Sequence, residues 1–180
     1  IDLNKPQLLK GFNEVTKGNG YYKARLSTAA SPKELMAGNY MLRSISKAKN
    51  TDHVIYTMES FEQYPDLHYA TLDFKKSIRL THGIDQQKDY LWGTAELVSW
   101  ISLDGRKLEG VVYKPADFDP AKKYPMIVSF YERNSETLFN YRMPEPHRST
   151  IDYHLYNSNG YIVFNPDIRY VDGYPGESCY

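Results

Sequence analysis

Residues 100–131 read WISLDGRKLEGVVYKPADFDPAKKYPMIVSFY, and the class of the fold turns on how this stretch divides. Two apolar and β-branched runs, LVSWISL (97–103) and KLEGVVYKP (107–115), flank Asp104-Gly105. Asp-Gly tolerates positive φ, so the pattern predicts a hairpin closed by a two-residue type I′ turn. The polar, proline-bounded DFDPAKKYP (117–125) is expected to be an exposed connection. It leads into MIVSFY (126–131), which reads as a buried strand. Further on, DYHLYNSN (152–159) suits a short helix ended by Gly160, and YIVF (161–164) suits a second buried strand. Strand, helix, strand with apolar runs is the pattern of a parallel sheet buried on both faces. The chain therefore changes class near residues 109–115.

Upstream of that point the pattern is all-β. HVIYTM (53–58) is rich in β-branched and aromatic residues, Tyr64-Pro65-Asp66 supplies a turn, and LHYATLDF (67–74) gives a partly alternating second run. A shorter run at 78–81 and a polar turn at 83–88 follow. Antiparallel hairpins at this spacing fit a sandwich, a barrel or a propeller blade, and the pattern does not separate the three. No internal repeat is evident. Residues 5–39, punctuated by Gly11, Gly18, Gly20, Pro32 and Gly38, read as loops with short strands. Within them SPKELMAG (31–38) carries a helical-turn signal: Ser31 as N-cap, Pro32 at the first position, Glu34 at the third and Gly38 as the stop.

Composition narrows the function classes. The 22 basic and 22 acidic side chains cancel, leaving no net field for nucleic acid or an anionic membrane surface. The longest apolar runs are far too short to cross a bilayer, and IDLNKPQLLKGF at the N-terminus lacks a signal-peptide pattern. A single Cys179 excludes an internal disulfide framework and leaves the compartment open; it reads as a small hydrophobe rather than a reactive thiol. His53, His68, His82, His147 and His154 show no metal-ligand spacing and read as surface or capping residues, so no metal or cofactor is expected. Ser27, Ser129 and Ser178 all lie outside any Gly-x-Ser-x-Gly elbow and are rejected as nucleophiles. The abundance of tyrosine is read as packing in an aromatic β-core.

The junction ELVSWISLDGRKLEGVVYKPADFDPAKKYPMIV (96–128), together with HVIYTMESFEQYPDLHYATLDFKKSIRLTHG (53–83), resembles the dipeptidyl-peptidase branch of the prolyl oligopeptidase serine peptidases. The resemblance covers roughly residues 39–180. It implies a mixed fold: an all-β, propeller-type blade segment over residues 1–98, followed over 99–180 by the N-terminal strands of an α/β-hydrolase domain. It implies an acyl-transfer peptidase acting on peptide substrates, near proline and from the N-terminus, and an exported or periplasmic setting. The nucleophile elbow, acid and histidine of such an enzyme would lie beyond Tyr180, so residues 1–180 alone are expected to be inactive.

The resemblance also assigns residues. Tyr131, directly after the first long hydrolase strand, would donate its hydroxyl to the oxyanion, although Glu132-Arg133-Asn134 replaces the family's glycine-containing turn. Asp167 and Arg169 match an Asp-x-Arg-Gly element in which Tyr170 replaces glycine. Asp167 would fix the loop by pairing with Arg169 or with backbone amides. Gly173 and Gly176 would shape the loop beneath the substrate.

Two other readings stand beside this one: a non-catalytic β-rich binding or interaction module, and an esterase or acylaminoacyl peptidase of the same fold. A sheet left with an uncovered edge favours association with a second copy, a homodimer, or with another chain. Residues 134–150, polar and without a clear strand, are expected to be poorly ordered in part.

Overall fold

The computed structural model describes residues 2–146, 150–169, 173, 174 and 176. They form three open, mostly antiparallel sheets with few helices. The chain separates into two compact units: Ile1–Gln87 with Phe139–Tyr141, and Lys88–Leu138 with Arg142–Tyr180.

In the first unit β1 (Pro6–Phe12), β2 (Asn19–Arg25) and β3 (Lys33–Gly38) make one antiparallel sheet in that order. β4 (Met41–Lys47), β5 (His53–Ser60), β6 (Gln63–Thr71) and β7 (Ser77–Arg79) make a second, again in chain order. A four-residue helix, α1 (Ile84–Gln87), follows. Tyr21, Leu42, Val54, Tyr56, Ala70 and Phe74 form the core shared by the two sheets. Tyr21 stacks on Phe74 with centroids 5.0 Å apart and meets Tyr56 edge-on at 6.0 Å, contacts worth about 0.5–1.5 kcal/mol each beyond simple burial.

Two local expectations fail in this unit. Residues 33–38 are strand β3, not a helical turn: pairing along β2 and packing of Leu35 and Met36 against the core outweigh the capping signal. Tyr64-Pro65-Asp66 lies inside β6, and the reversal comes earlier, at Phe61-Glu62. Pro65 is tolerated because the register of β5 against β6 shifts between Met58 and Ser60, a bulge at which no ladder amide is required of it.

Asp66 is fully buried in this unit and accepts hydrogen bonds from the Thr81 hydroxyl (2.7 Å) and the amides of Gly83 (2.7 Å) and Ile84 (3.3 Å), with Arg79 at 3.9 Å. Burial works against its charge, but the Thr81, Gly83, Ile84 and Arg79 interactions outweigh it and hold the carboxyl below its usual range.

The second unit is a four-stranded mixed sheet in the order β10-β11-β9-β8: β8 (Thr94–Ile101), β9 (Lys107–Lys114), β10 (Met126–Val128) and β11 (Ile162–Pro166). Its helix α2 (Tyr153–Ser158) is capped by Asp152, whose side chain accepts from the amides of His154 and Leu155, and Gly160 follows it at φ +79°. β10 and β11 run parallel on either side of this helical connection, while β9 pairs antiparallel with both β11 and β8.

The β8–β9 hairpin forms at the expected place with a different turn. Asp104 keeps a negative φ and only Gly105 is left-handed, at +78°. The Gly105 amide donates to the Ser102 carbonyl (2.9 Å) and the Ser102 amide to the Arg106 carbonyl (2.8 Å), the arrangement of a type I turn followed by a glycine bulge. β10 also departs from expectation. Among the described residues it is an edge strand rather than a buried one, pairing with β11 alone, and Met126, Val128 and the following Phe130 are between 51% and 65% exposed.

Candidate active site

Parallel β10 and β11 deliver their carboxyl ends to the same side of the sheet, the place where open α/β sheets bind ligands. Beyond β10 the Ser129 amide still donates to the Phe164 carbonyl (2.9 Å), after which Phe130 and Tyr131 leave the ladder. Tyr131 is 77% exposed, so its hydroxyl is free of any burial that would bar a ligand. The next residue, Glu132, sits at φ +53°, a left-handed conformation that side chains other than glycine and asparagine adopt at a cost. Glycine-containing turns meet that requirement directly, and here a glutamate does so under constraint.

The constraint is visible in the hydrogen bonds. The Ile168 amide donates to the Glu132 carbonyl (3.1 Å). The Asn134 carboxamide donates to the carbonyls of Tyr131 (2.8 Å) and Pro166 (3.2 Å). Asp167 Oδ1 accepts from the amides of Asn134 (2.6 Å) and Ser135 (2.7 Å), and its Oδ2 accepts from the buried Ser135 hydroxyl (2.6 Å). Asp167 thereby caps the single 3-10 turn Ser135–Thr137, and its own amide is tied to the Glu109 carbonyl of β9 (2.8 Å). The carboxylate at the end of β11 thus holds the turn at the end of β10.

Of the partners expected for Asp167, the structure therefore places the backbone amides. Arg169 instead lies 3.6 Å from Asp104, which also has Arg106 at 3.3 Å. The Asp104 carboxyl is held below its ordinary range chiefly by the Ser102 hydroxyl, then by Arg169 and Arg106. Tyr131 and Asp167 belong to one hydrogen-bonded turn, and Arg169 faces the β8–β9 hairpin. Because the amides of Asn134 and Ser135 are spent on Asp167, neither is available to an oxyanion.

Sequence reading missed Asn134 and Ser135, although an Asx and a serine just after a strand end are the residues that bond to nearby backbone. It also expected residues 134–150 to be poorly ordered in part, and of these residues 147–149 lie outside the described residues. Residues 134–137 are fixed as described, Asn140 accepts from Arg43 (2.9 Å), and the Tyr141 amide donates to the buried Glu59 carboxylate (3.3 Å). His147, Tyr170, Ser178 and Cys179 lie outside the described residues; Gly173 lies inside them at φ +79°.

No family model and no curated protein matches this sequence. Solved structures do. Dipeptidyl peptidase 4 of Porphyromonas gingivalis superposes with a TM-score of 0.67 at 18% identity, over 93% of this chain and 23% of that one. A variant of the AtxE2 isopeptidase with astexin3-dC4 bound gives 0.66 at 12% identity, over 94% and 25%. One of a pair of prolyl endopeptidases gives 0.61 at 16% identity, over 92% and 23%. The chain has the fold of a part of these peptidases. It spans about a quarter of their length, and at these identities the likeness is one of fold.

Proposed function

We propose that this chain is part of a serine peptidase of the prolyl oligopeptidase type, with Tyr131 as an oxyanion-hole donor. The two sheets of the first unit are read as blades of a β-propeller, and the mixed sheet of the second as the opening strands of an α/β-hydrolase domain. The unit division between Gln87 and Lys88 favours giving all of β8 to the hydrolase part, whereas a boundary at 98–99 would cut that strand.

The observation that carries the reading is the exposed Tyr131 at the carboxyl end of β10, on a turn that Asp167 holds from the end of parallel β11. In the mechanism proposed, a serine outside residues 1–180 attacks the scissile carbonyl while a histidine, oriented by an acid, takes its proton and then delivers it to the leaving amine. The carbonyl oxygen gains negative charge as the tetrahedral intermediate forms. The Tyr131 hydroxyl donates to it there, and an already oriented donor needs no reorganisation as the charge grows. Peptides are the substrates. The fold is shared by an isopeptidase, a dipeptidyl peptidase and a prolyl endopeptidase, so cleavage beside proline rests on the family resemblance alone.

Fluorophosphonate labelling of the protein expressed from its full reading frame tests this. Labelling that Tyr131→Phe slows by about a hundredfold to a thousandfold supports the reading. Labelling at an unchanged rate removes Tyr131 from the oxyanion hole, and no labelling of any form favours a non-catalytic binding module.

A further inference from the structure

We infer that Asn134 is a positioning residue for Tyr131: its carboxamide clamps the left-handed turn at Glu132 and so sets where the phenol points. The inference rests on the proposed role of Tyr131. Glu132, at φ +53°, lies between the two residues whose backbone and side chain the clamp joins. A non-glycine residue persists in that region only where its surroundings over-determine it. Here they do so from both sides. The Glu132 carbonyl is held by the Ile168 amide, and one Asn134 carboxamide spans the Tyr131 carbonyl and the Pro166 carbonyl, joining the exit of β10 to the exit of β11. The Asn134 main chain is fixed in turn by Asp167 at 2.6 Å. Tyr131 itself is largely exposed, so packing does little to orient it and the backbone that carries it has to. A glycine turn would reach the same conformation without a clamp. Asn134 is therefore the counterpart of having a glutamate at position 132.

The test compares fluorophosphonate labelling of the full-length protein and its variants, separating the maximal inactivation rate from reagent affinity. Asn134→Ala is expected to lower the inactivation rate about tenfold with affinity unchanged, because a displaced donor weakens the transition state and not encounter. In a Tyr131→Phe background the same change should cost less than about twofold, since residues acting through one group are not additive. Glu132→Gly should restore most of the Asn134→Ala loss, a rescue that general destabilisation would not give.

A normal rate in Asn134→Ala while Tyr131→Phe is slow overturns the clamp and leaves the reading of Tyr131 intact. A loss that persists undiminished in the Tyr131→Phe background does the same. A normal rate in Tyr131→Phe, or no labelling of any form, removes the underlying reading and the clamp with it. Hydrogen exchange gives a readout independent of activity: the Ile168 amide should lose protection in Asn134→Ala and keep it in Tyr131→Phe. Equal protection at Ile168 in all forms overturns the clamp.

Discussion

The two units use the same device to different ends. Asp66 in the first and Asp167 in the second each accept from two backbone amides and one hydroxyl, and each holds a turn to a strand. Asp66 lies fully buried, and its turn leads into α1, whose Gln87 is itself buried and donates to the Glu62 carbonyl at 2.8 Å. Asp167 lies at the end of an edge strand pair, and its turn leads to a tyrosine left open to solvent. A carboxylate with a full set of donors thus marks local order whether fully or half buried, and what the ordered turn displays decides its role. In the first unit the turn closes on the protein. In the second it presents a side chain.

The largest effect should come from the aromatic core. Tyr56 touches Tyr21, Phe74 and His68 and its hydroxyl bonds to Ser77 at 2.7 Å. Tyr56→Ala should destabilise the first unit by about 3–5 kcal/mol. Phe130→Ala on the open edge should change stability by no more than about 0.5 kcal/mol, as for other surface changes. Denaturant unfolding gives the two energies, and amide exchange shows whether the first loss is confined to β2 and β4–β6. Equal losses would mean that Phe130 is covered in solution and that β10 has a partner.

Next come the two carboxylates. Asp66→Ala should cost about 3 kcal/mol, since it empties a fully buried carboxylate position and leaves the Thr81 hydroxyl and the Gly83 and Ile84 amides unpaired near Arg79. Asp167→Ala should cost less globally, about 2 kcal/mol, because its carboxylate is itself only half-buried, and its main readout is faster exchange at Asn134 and Ser135. The ratio of global to local effect is the quantity that separates a sealing carboxylate from a presenting one. A larger global loss at Asp167 would reverse the comparison.

Where the sequence spoke clearly, local chemistry and tertiary context agreed. The strand runs of β5, β6, β8 and β9, the short helix near 152–159 and its stop at Gly160 each needed nothing from elsewhere in the chain. Residues 31–38 were misread because their capping signal is real but weaker than pairing with β2, which no local pattern reveals. MIVSFY is apolar enough for a core strand, yet edge position depends on which strands pair with it. At the site, Tyr131 and Asp167 were legible as a strand-end tyrosine and a strand-end carboxylate. Their connection through Asn134 and Ser135 was not, because it joins residues more than thirty positions apart, 134 to 167.

Acid should touch both units through their histidines. His68 is kept neutral by burial first, with Asp66 favouring and Arg79 opposing its charge, and His154 by burial, against the pull of the Arg142 carbonyl 2.7 Å from its Nε2. Both folded pKa values lie below the ordinary one, while in the unfolded chain each titrates near about 6.5. Between those values the unfolded chain binds more protons. Stability is therefore full above about pH 6.5 and falls as pH drops toward the folded pKa values. Asp66, also lowered, adds a separate loss only at more acidic pH, as its carboxylate protonates. His68→Phe should remove the share of the first loss that belongs to the first unit, seen as flatter exchange in β5 and β6 between pH 7 and pH 5, roughly the range of histidine titration. A slope unchanged by His68→Phe would place the acid sensitivity with His154.

The smallest effects distinguish a turn that carries the residue it needs from one that does not. Gly105 occupies φ +78° with open space where a Cβ would stand, so Gly105→Ala meets no clash and costs only the left-handed strain, about 1 kcal/mol. Glu132 occupies φ +53° without being glycine, and Glu132→Gly should recover somewhat less than that, about 0.5 kcal/mol, because the glycine also gains freedom in the unfolded chain. Opposite signs at two left-handed positions of one unit are the expectation, measured as shifts in the denaturant midpoint at constant slope. Should Glu132→Gly destabilise instead, the side chain of Glu132 would have to make an interaction worth more than its strain. The turn would then be held by the glutamate as well as by Asn134 and Asp167, and rescue of Asn134→Ala by Glu132→Gly would fail for that reason.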